Sequence, residues 1–507
     1  MKALKQVTFL LAFAAVGDAQ FGRGDASWAT PGADAQRSAW VRNDPKISKD
    51  GVQKPEFRFL WKIKLAAKTE ASAALTPAVL LTKYIGYRGF RDLALVQSDG
   101  DSVYGIDTDL GRVEWNVHMG ANSANCPAGL SAGLARPITT AIPALAALSG
   151  PGRSQFARSG VGEPGEGAVT LQAIANARPA TPAAARPAAA APVPQAPRRS
   201  PITIYVLDGD GMLHNIYVSN GLPEEPPVAF VPPNSAARGF IVANGVAYVA
   251  AVNCHSGGAS VIKAMDLESK QVMTWNSTSA IAGSAGAAFG PDGTLYAATA
   301  GGDLVALDRK TLAVKETYAA KQEFITSPLI FDYKEKVLAA AATSDGSIHL
   351  LDTTALSSAP VYKTAPGNAI LPGSLASYQD RVGRRWLLAS VNGAISAWQL
   401  HDENGTLSLT PAWTSAPIAA PSAPIVINGV VFAASNSSPQ FDVKSKAASD
   451  SATIYALDAA TGKELWTSGK QITASAHLGS LAGGGGQIYL GTDDGTLWVF
   501  GSWIERQ

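Results

Sequence analysis

Residues Ile454 to Trp466 read IYALDAATGKELW. Tyr455 and Leu457 alternate along a half-buried strand, Asp458 to Gly462 supplies a tight turn, and Leu465-Trp466 opens a second strand, so the stretch predicts a β-hairpin. Within the turn, Asp458 and Thr461 can hydrogen-bond the backbone, and Gly462 tolerates a positive φ where other side chains would clash. Each polar residue therefore has a local structural task. The pattern recurs along the chain, and a period of this size has to be settled before any shorter motif is interpreted.

Good copies are VYGIDTDLGRVEW (Val103 to Trp115), VIKAMDLESKQVMTW (Val261 to Trp275) and LVALDRKTLAVKETY (Leu304 to Tyr318). Weaker ones begin at His214, Ile348 and Ile395, and Thr496 to Gly501 is a truncated copy, which makes eight in all. Two short strands precede each unit, such as APIVING and VVFAAS before Ile454, and small Ala, Gly and Ser residues dominate them. Small residues are expected where inner strands converge on a crowded axis. Each repeat thus predicts a four-stranded antiparallel unit, A-B-C-D, of about 40 to 60 residues, the size of a propeller blade. The D strands each carry an aromatic residue (Trp115, Phe230, Trp275, Tyr318, Tyr362, Trp413, Trp466), suited to packing between neighbouring blades.

The last repeat supplies an A strand near His477 to Gly484, a B strand at Ile488 to Thr492 and a C strand at Thr496 to Gly501, but no D strand. Phe59 to Leu65 has the missing pattern, with Trp61 at the aromatic position. Pairing the two ends closes the ring and removes exposed strand edges. The fold class expected is all-β: an eight-bladed β-propeller over 57–501, closed by an N-terminal strand that completes the last blade.

Composition agrees. With 46% apolar residues, 49 Gly and 31 Pro, the 507-residue chain suits a large, turn-rich β structure. A formal charge of +1 with 16% charged residues offers no broad basic surface, which argues against a nucleic-acid partner. Lys2 and Lys5, the apolar run Val7 to Val16 and Gly17-Asp18-Ala19 read as a signal peptide over 1–19 with cleavage after Ala19. No later stretch has membrane-spanning length, and no Cys near the cut could accept a lipid, so the expectation is an exported chain, periplasmic or extracellular. Residues 20–56 form a leader and 502–507 a short tail. Blade 2 is interrupted. Between an A strand expected near Arg136 to Pro143 and a B strand at Thr203 to Asp208 lies an Ala/Pro-rich insertion at about 146–200, of tether composition.

Residues that could carry chemistry are sparse. Acidic residues concentrate in the repeat turns (Asp107, Asp266, Asp308, Asp352, Asp458) and in B-to-C turns (Asp99, Asp345, Asp493, Asp494), where turn capping accounts for them. The histidines at 118, 214, 255, 349, 401 and 477 form no metal-binding pair. Cys126 and Cys254 follow the D strand of blade 1 and the B strand of blade 3, and those connections leave on the same face. An exported chain with two thiols admits a disulfide between them, against two separate free thiols. A metal site built on Cys126, Cys254 and His255 lacks the usual four ligands, and none is expected. No nucleophile-elbow, Walker or dinucleotide pattern occurs in a strand-turn-helix context.

The repeated ALDxxTGKxxW unit resembles that of the pyrroloquinoline-quinone (PQQ) dehydrogenase-like propellers, from about Trp28 to Phe500 apart from the insertion. Asp458 to Trp466 matches well, Asp107 to Trp115 less so, and Trp28 to Ser38 (WATPGADAQRS) resembles the segment that precedes the first blade in these quinoproteins. For the dehydrogenase branch, the resemblance implies PQQ in the central channel, a calcium or lanthanide ion, an aspartate base, a Trp under the quinone and two adjacent cysteines above it. This chain has no adjacent cysteine pair and no C-x-x-C-H haem attachment. The other branch resembles the outer-membrane assembly lipoprotein and related periplasmic scaffolds, which bind proteins and carry no cofactor. The expectation is accordingly a scaffold for a protein or cell-envelope partner without turnover and without cofactor. The alternative is a PQQ- and calcium-dependent oxidoreductase lacking the cysteine pair.

Overall fold

The computed structural model describes residues 23–65, 75–86, 89–98, 101–120, 129–132, 203–253, 257–435 and 451–502. They form an eight-bladed propeller of four-stranded antiparallel sheets. The innermost (A) strands of blades 1 to 8 are Val79–Gly86, Gly129–Ala132, Ser235–Ala243, Ala288–Phe289, Leu329–Tyr333, Ala376–Gln379, Ile425–Ile427 and Ala476–Gly484. Blade 7 contains the Ile454 to Trp466 hairpin: Val430–Ala434 pairs with Ile454–Asp458, which pairs with Glu464–Thr467. Among the described residues no helix is long and apolar enough to cross a membrane.

Burial follows position within a blade. Val430–Ala434 is buried along its whole length, and Ala339 to Ala342 in blade 5 have no exposed surface, because inner strands are covered on both faces by neighbouring blades. The outer strand Val272–Asn276 alternates between exposed and half-buried residues, since its edge faces water. Small side chains in the inner strands let the sheets converge on the axis.

Ring closure is as expected. Phe57–Lys64 pairs antiparallel with Thr496–Ser502, with Trp61 opposite Val499 and Ile63 opposite Leu497, and so becomes the outer strand of blade 8. Leu65 N–H donates to Gly495 O at 2.9 Å, and Lys64 Nζ reaches Asp494 Oδ2 at 3.2 Å. Phe57 packs edge-on against Trp466 of blade 7, with ring centroids 4.9 Å apart, so the closing strand also seals the seam between blades 7 and 8.

One strand differs from the sequence reading. The strand paired with Thr203–Leu207 on the inner side of blade 2 is Gly129–Ala132, through Leu130 and Val206, and the expected segment Arg136 to Pro143 lies outside the described residues. The signal-peptide segment, the insertion at about 146–200, Cys126 and Cys254 lie outside the described residues.

Two pieces of the leader join the sheets. Arg23–Trp28 adds to the inner edge of blade 1, antiparallel to Val79–Gly86. Trp40–Val41 lies parallel to Ile425–Ile427 on the inner edge of blade 7.

Candidate functional site

The repeat positions form turn caps and blade seams. Asp107 Oδ1 accepts from the amides of Asp109 and Leu110 at 3.1 and 3.0 Å. Asp266 and Asp308 repeat this with Glu268 and Ser269, and with Lys310 and Thr311. These bonds favour the charged form and hold both carboxyls below the ordinary aspartate range. Asp352 caps Thr354, and Asp458 caps Ala460 at 2.7 Å while pairing with Lys49 at 2.9 Å.

Three seams share one device, in which the outer-strand Trp of one blade lies on a left-handed Gly in the C–D turn of the next. Trp61 lies against Gly111 and donates to Thr108 O at 3.1 Å. Trp115 lies against Gly221 and donates to Val218 O at 2.8 Å. Trp413 lies against Gly462 and donates to Ala459 O at 3.0 Å. Trp466 instead packs on Phe57 and Phe500, and Trp275 is half-buried against the blade 3–4 core. At each of these repeat positions the geometry is that of packing or turn capping.

The axis is the place where a propeller of this kind could hold a ligand, and here the inner strands approach one another closely. Ala285 N donates to Ser327 Oγ at 3.0 Å, Ser284 Oγ lies 3.4 Å from Ser374 Oγ, and Thr326–Ser327 runs parallel to Gly373–Ser374. A Cβ added to Gly283 would overlap the Ser327 amide, and one on Gly479 of blade 8 would lie 3.5 Å from Ser284 Oγ, just ahead of blade 4. Blades 4 and 8 stand on opposite sides of an eightfold ring, so chain from the two sides meets at the middle.

At the end of the axis marked by the A–B turns, the leader takes over. Phe289 N–H donates to Ala35 O at 2.8 Å, Ile330 to Gln36 O at 3.0 Å, Ser377 to Ser38 O at 3.0 Å and Val426 to Ala39 O at 2.8 Å. Gly486 N–H donates to Asp44 Oδ2 at 2.9 Å, and Thr30 Oγ1 donates to Phe240 O at 2.8 Å. Arg37, buried, donates through Nε to Ala287 O at 2.9 Å, through Nη2 to Gly239 O at 2.6 Å, and through Nη1 to Pro31 O and Thr30 Oγ1 at 2.6 and 2.9 Å. Burial lowers its pKa to about 10, with Asp34 opposing the shift, so it remains a cation at neutral pH. The resemblance had singled out Trp28 to Ser38, but nothing in those residues marks Arg37 as fully enclosed.

Three further titratable groups are held inside or between blades, of which Asp101 carries no signal in the sequence. Asp101 accepts from Gly209 N–H through both carboxylate oxygens, at 3.0 and 3.1 Å, and joins blades 1 and 2. Burial, with Asp208 and Asp210 adding to it, raises its pKa to about 6 against the opposing Gly209 bond and His118. Beside it, His214 Nε2 lies 2.7 Å from Asp208 Oδ2. In blade 5, His349 lies between Tyr318 Oη and Thr343 Oγ1, and burial lowers its pKa to about 4. Among the described residues no group of three His, Cys, Asp or Glu side chains could hold a metal ion. The large apolar side chains exposed among these residues, Leu110, Leu222, Val272, Val314 and Val382, lie at C–D or A–B turns, and so on one face.

PQQ is a flat tricyclic tricarboxylic acid that needs an open slot, a ring to stack on and cationic partners. The described residues that meet at the axis do not fit it: Gly283, Ser284, Ser327, Gly373, Ser374 and Gly479 bring backbone and hydroxyl groups into contact across the middle.

No protein-family model matches the chain, and no curated protein matches it in sequence. Its structure is similar to that of quinohemoprotein alcohol dehydrogenase from Comamonas testosteroni, with a TM-score of 0.55 and 13% identity, covering 96% of this chain and 82% of that one. It is also similar to a europium-containing methanol dehydrogenase, with a TM-score of 0.54 and 10% identity, covering 94% and 89%. BamB from Moraxella catarrhalis matches with a TM-score of 0.49 and 12% identity, covering 89% and 98%. Identities this low speak for the fold alone. The chain is thus an eight-bladed propeller with the fold of the PQQ dehydrogenase-like quinoproteins, the architecture that its repeat predicts.

Proposed function

We propose that this chain is an exported scaffold whose propeller binds a protein or cell-envelope partner without turnover. The observation that carries the reading is the occupied axis. Where Ser284 approaches both Ser374 and Gly479, chain from opposite sides of the ring takes up the space that a flat cofactor would need. Export rests on the N-terminal 1–19 segment, and a Cys126–Cys254 bridge belongs to the same reading.

The test is to mix the purified protein with PQQ and calcium and to follow both cofactor absorbance and dye-linked alcohol oxidation. The scaffold reading expects neither stoichiometric uptake nor turnover. Tight one-to-one uptake with dye reduction would replace it with a PQQ-dependent oxidoreductase lacking the adjacent cysteines.

A further inference from the structure

Residues Ala35, Gln36, Ser38 and Ala39 accept, in that order, from the inner strands of blades 4, 5, 6 and 7. Four residue steps therefore sweep three of the eight blade intervals. An extended chain advances at most about 3.6 Å per residue, so an arc of three-eighths of a turn confines this path to within about 6 Å of the axis. A backbone at that radius narrows the bore on the side of blades 4 to 7. The turn before it is closed by Ala29 N–H, which donates to Ala33 O at 3.1 Å, and Trp28 and Ala33 are buried.

The conformation is held against local preference. Ala33, Arg37 and Ala39 have φ of 73°, 58° and 52°, in the left-handed region that non-glycine residues disfavour. Such a backbone persists only where its surroundings over-determine it. Arg37 does this by spending four of its N–H bonds on oxygens of two leader residues and of blades 3 and 4. A guanidinium enclosed among neutral oxygens, with no ion-pair partner within bonding distance among the described residues, is costly unless its N–H groups are occupied, which ties its burial to the closed geometry.

We propose that Trp28 to Asp44 is a plug that seals the axis at the A–B turn end, with Arg37 as its bolt. A ligand or partner segment then approaches the constriction of Ser284, Ser374 and Gly479 only from the opposite face, where the B–C and D–A connections lie. This holds whether the propeller is a scaffold or an enzyme, because it concerns access and not chemistry.

The probe is Ser377→Cys. Ser377 lies directly beneath the plug, its amide bound to Ser38 O, and its buried Oγ has no hydrogen-bond partner among the described residues. Maleimide labelling is read at residue 377 by peptide mass spectrometry, so Cys126 and Cys254 do not interfere. The expected result is negligible labelling in Ser377→Cys alone and a rate increase of at least about tenfold when Arg37→Met is added, well below the melting temperature. Trp115→Phe, which loosens a blade seam and leaves the plug intact, should give no increase. Rapid labelling of Ser377→Cys alone, an unchanged rate with Arg37→Met, or an equal increase with Trp115→Phe would each overturn the proposal. If Arg37→Met does not fold, Thr30→Val removes the bonds of Oγ1 alone and is judged by the same outcomes with a smaller increase.

Discussion

The indole of Trp413 lies flat on Gly462, and a Cβ at that glycine would collide with the six-membered ring of the indole. The two residues come from adjacent blades, and the indole N–H continues into the same turn at Ala459 O. The glycine therefore answers two demands, a φ of 71° and a surface without a side chain. Gly462→Ala should cost about 2–4 kcal/mol, strain plus displacement of the indole. Gly245→Ala has a similar φ of 76° with nothing within 4 Å, and should cost only about 1 kcal/mol. Urea denaturation of the two variants checks this, and equal losses would show that the indole contact contributes nothing.

Phe57 should matter well beyond its own strand, because it touches Phe432 and Trp466 of blade 7 while belonging to blade 8. Phe57→Ala is expected to cost about 3–5 kcal/mol. Hydrogen exchange should show the loss concentrated in Thr496–Ser502, whose partner is the closing strand. Protection lost evenly over all eight blades would count against a localised seam.

His349 makes stability depend on pH. Its folded pKa of about 4 lies below the ordinary value of 6.5, so the unfolded chain takes up the proton first. Stability is then full above pH 6.5 and falls as pH drops toward 4, by at most on the order of 3 kcal/mol. His349→Asn should remove that part of the slope, at the price of weaker bonds to Tyr318 and Thr343 at neutral pH. Parallel curves for the two proteins between pH 7.5 and 4.5, measured by urea midpoint, would refute it.

Asp101 acts with the opposite sign. Its folded pKa of about 6 lies above the ordinary 3.8, so its ionisation opposes folding: the contribution is intact below 3.8 and is lost as pH rises through 6. Asp101→Asn retains an oxygen for the Gly209 amide and relieves repulsion from Asp208 and Asp210. It should raise stability at pH 7.5 by about 1–2 kcal/mol and leave it unchanged or lower at pH 3.5. Thermal melts at the two pH values decide the matter, and a destabilised variant at pH 7.5 would contradict the prediction.

Much of the architecture was legible in the residues themselves. The recurring Asp–Gly–Trp turn announces four-stranded units, their number announces eight blades, and Trp61 in an orphan strand announces the closure with Thr496–Ser502. These are local signals: a turn needs a left-handed Gly and a capping Asp within a few residues, and a half-buried strand needs alternation.

The rest was decided by tertiary structure. That Arg37 is enclosed, that His349 is held neutral, that Asp101 clasps Gly209, and that Ser284 meets chain from across the ring depend on residues tens to hundreds of positions apart. Desolvation and close approach belong to the assembled ring and not to any segment of it. The repeat therefore determined by itself what was built, whereas the space left at the axis, and with it what the protein can hold, was determined only when the blades closed.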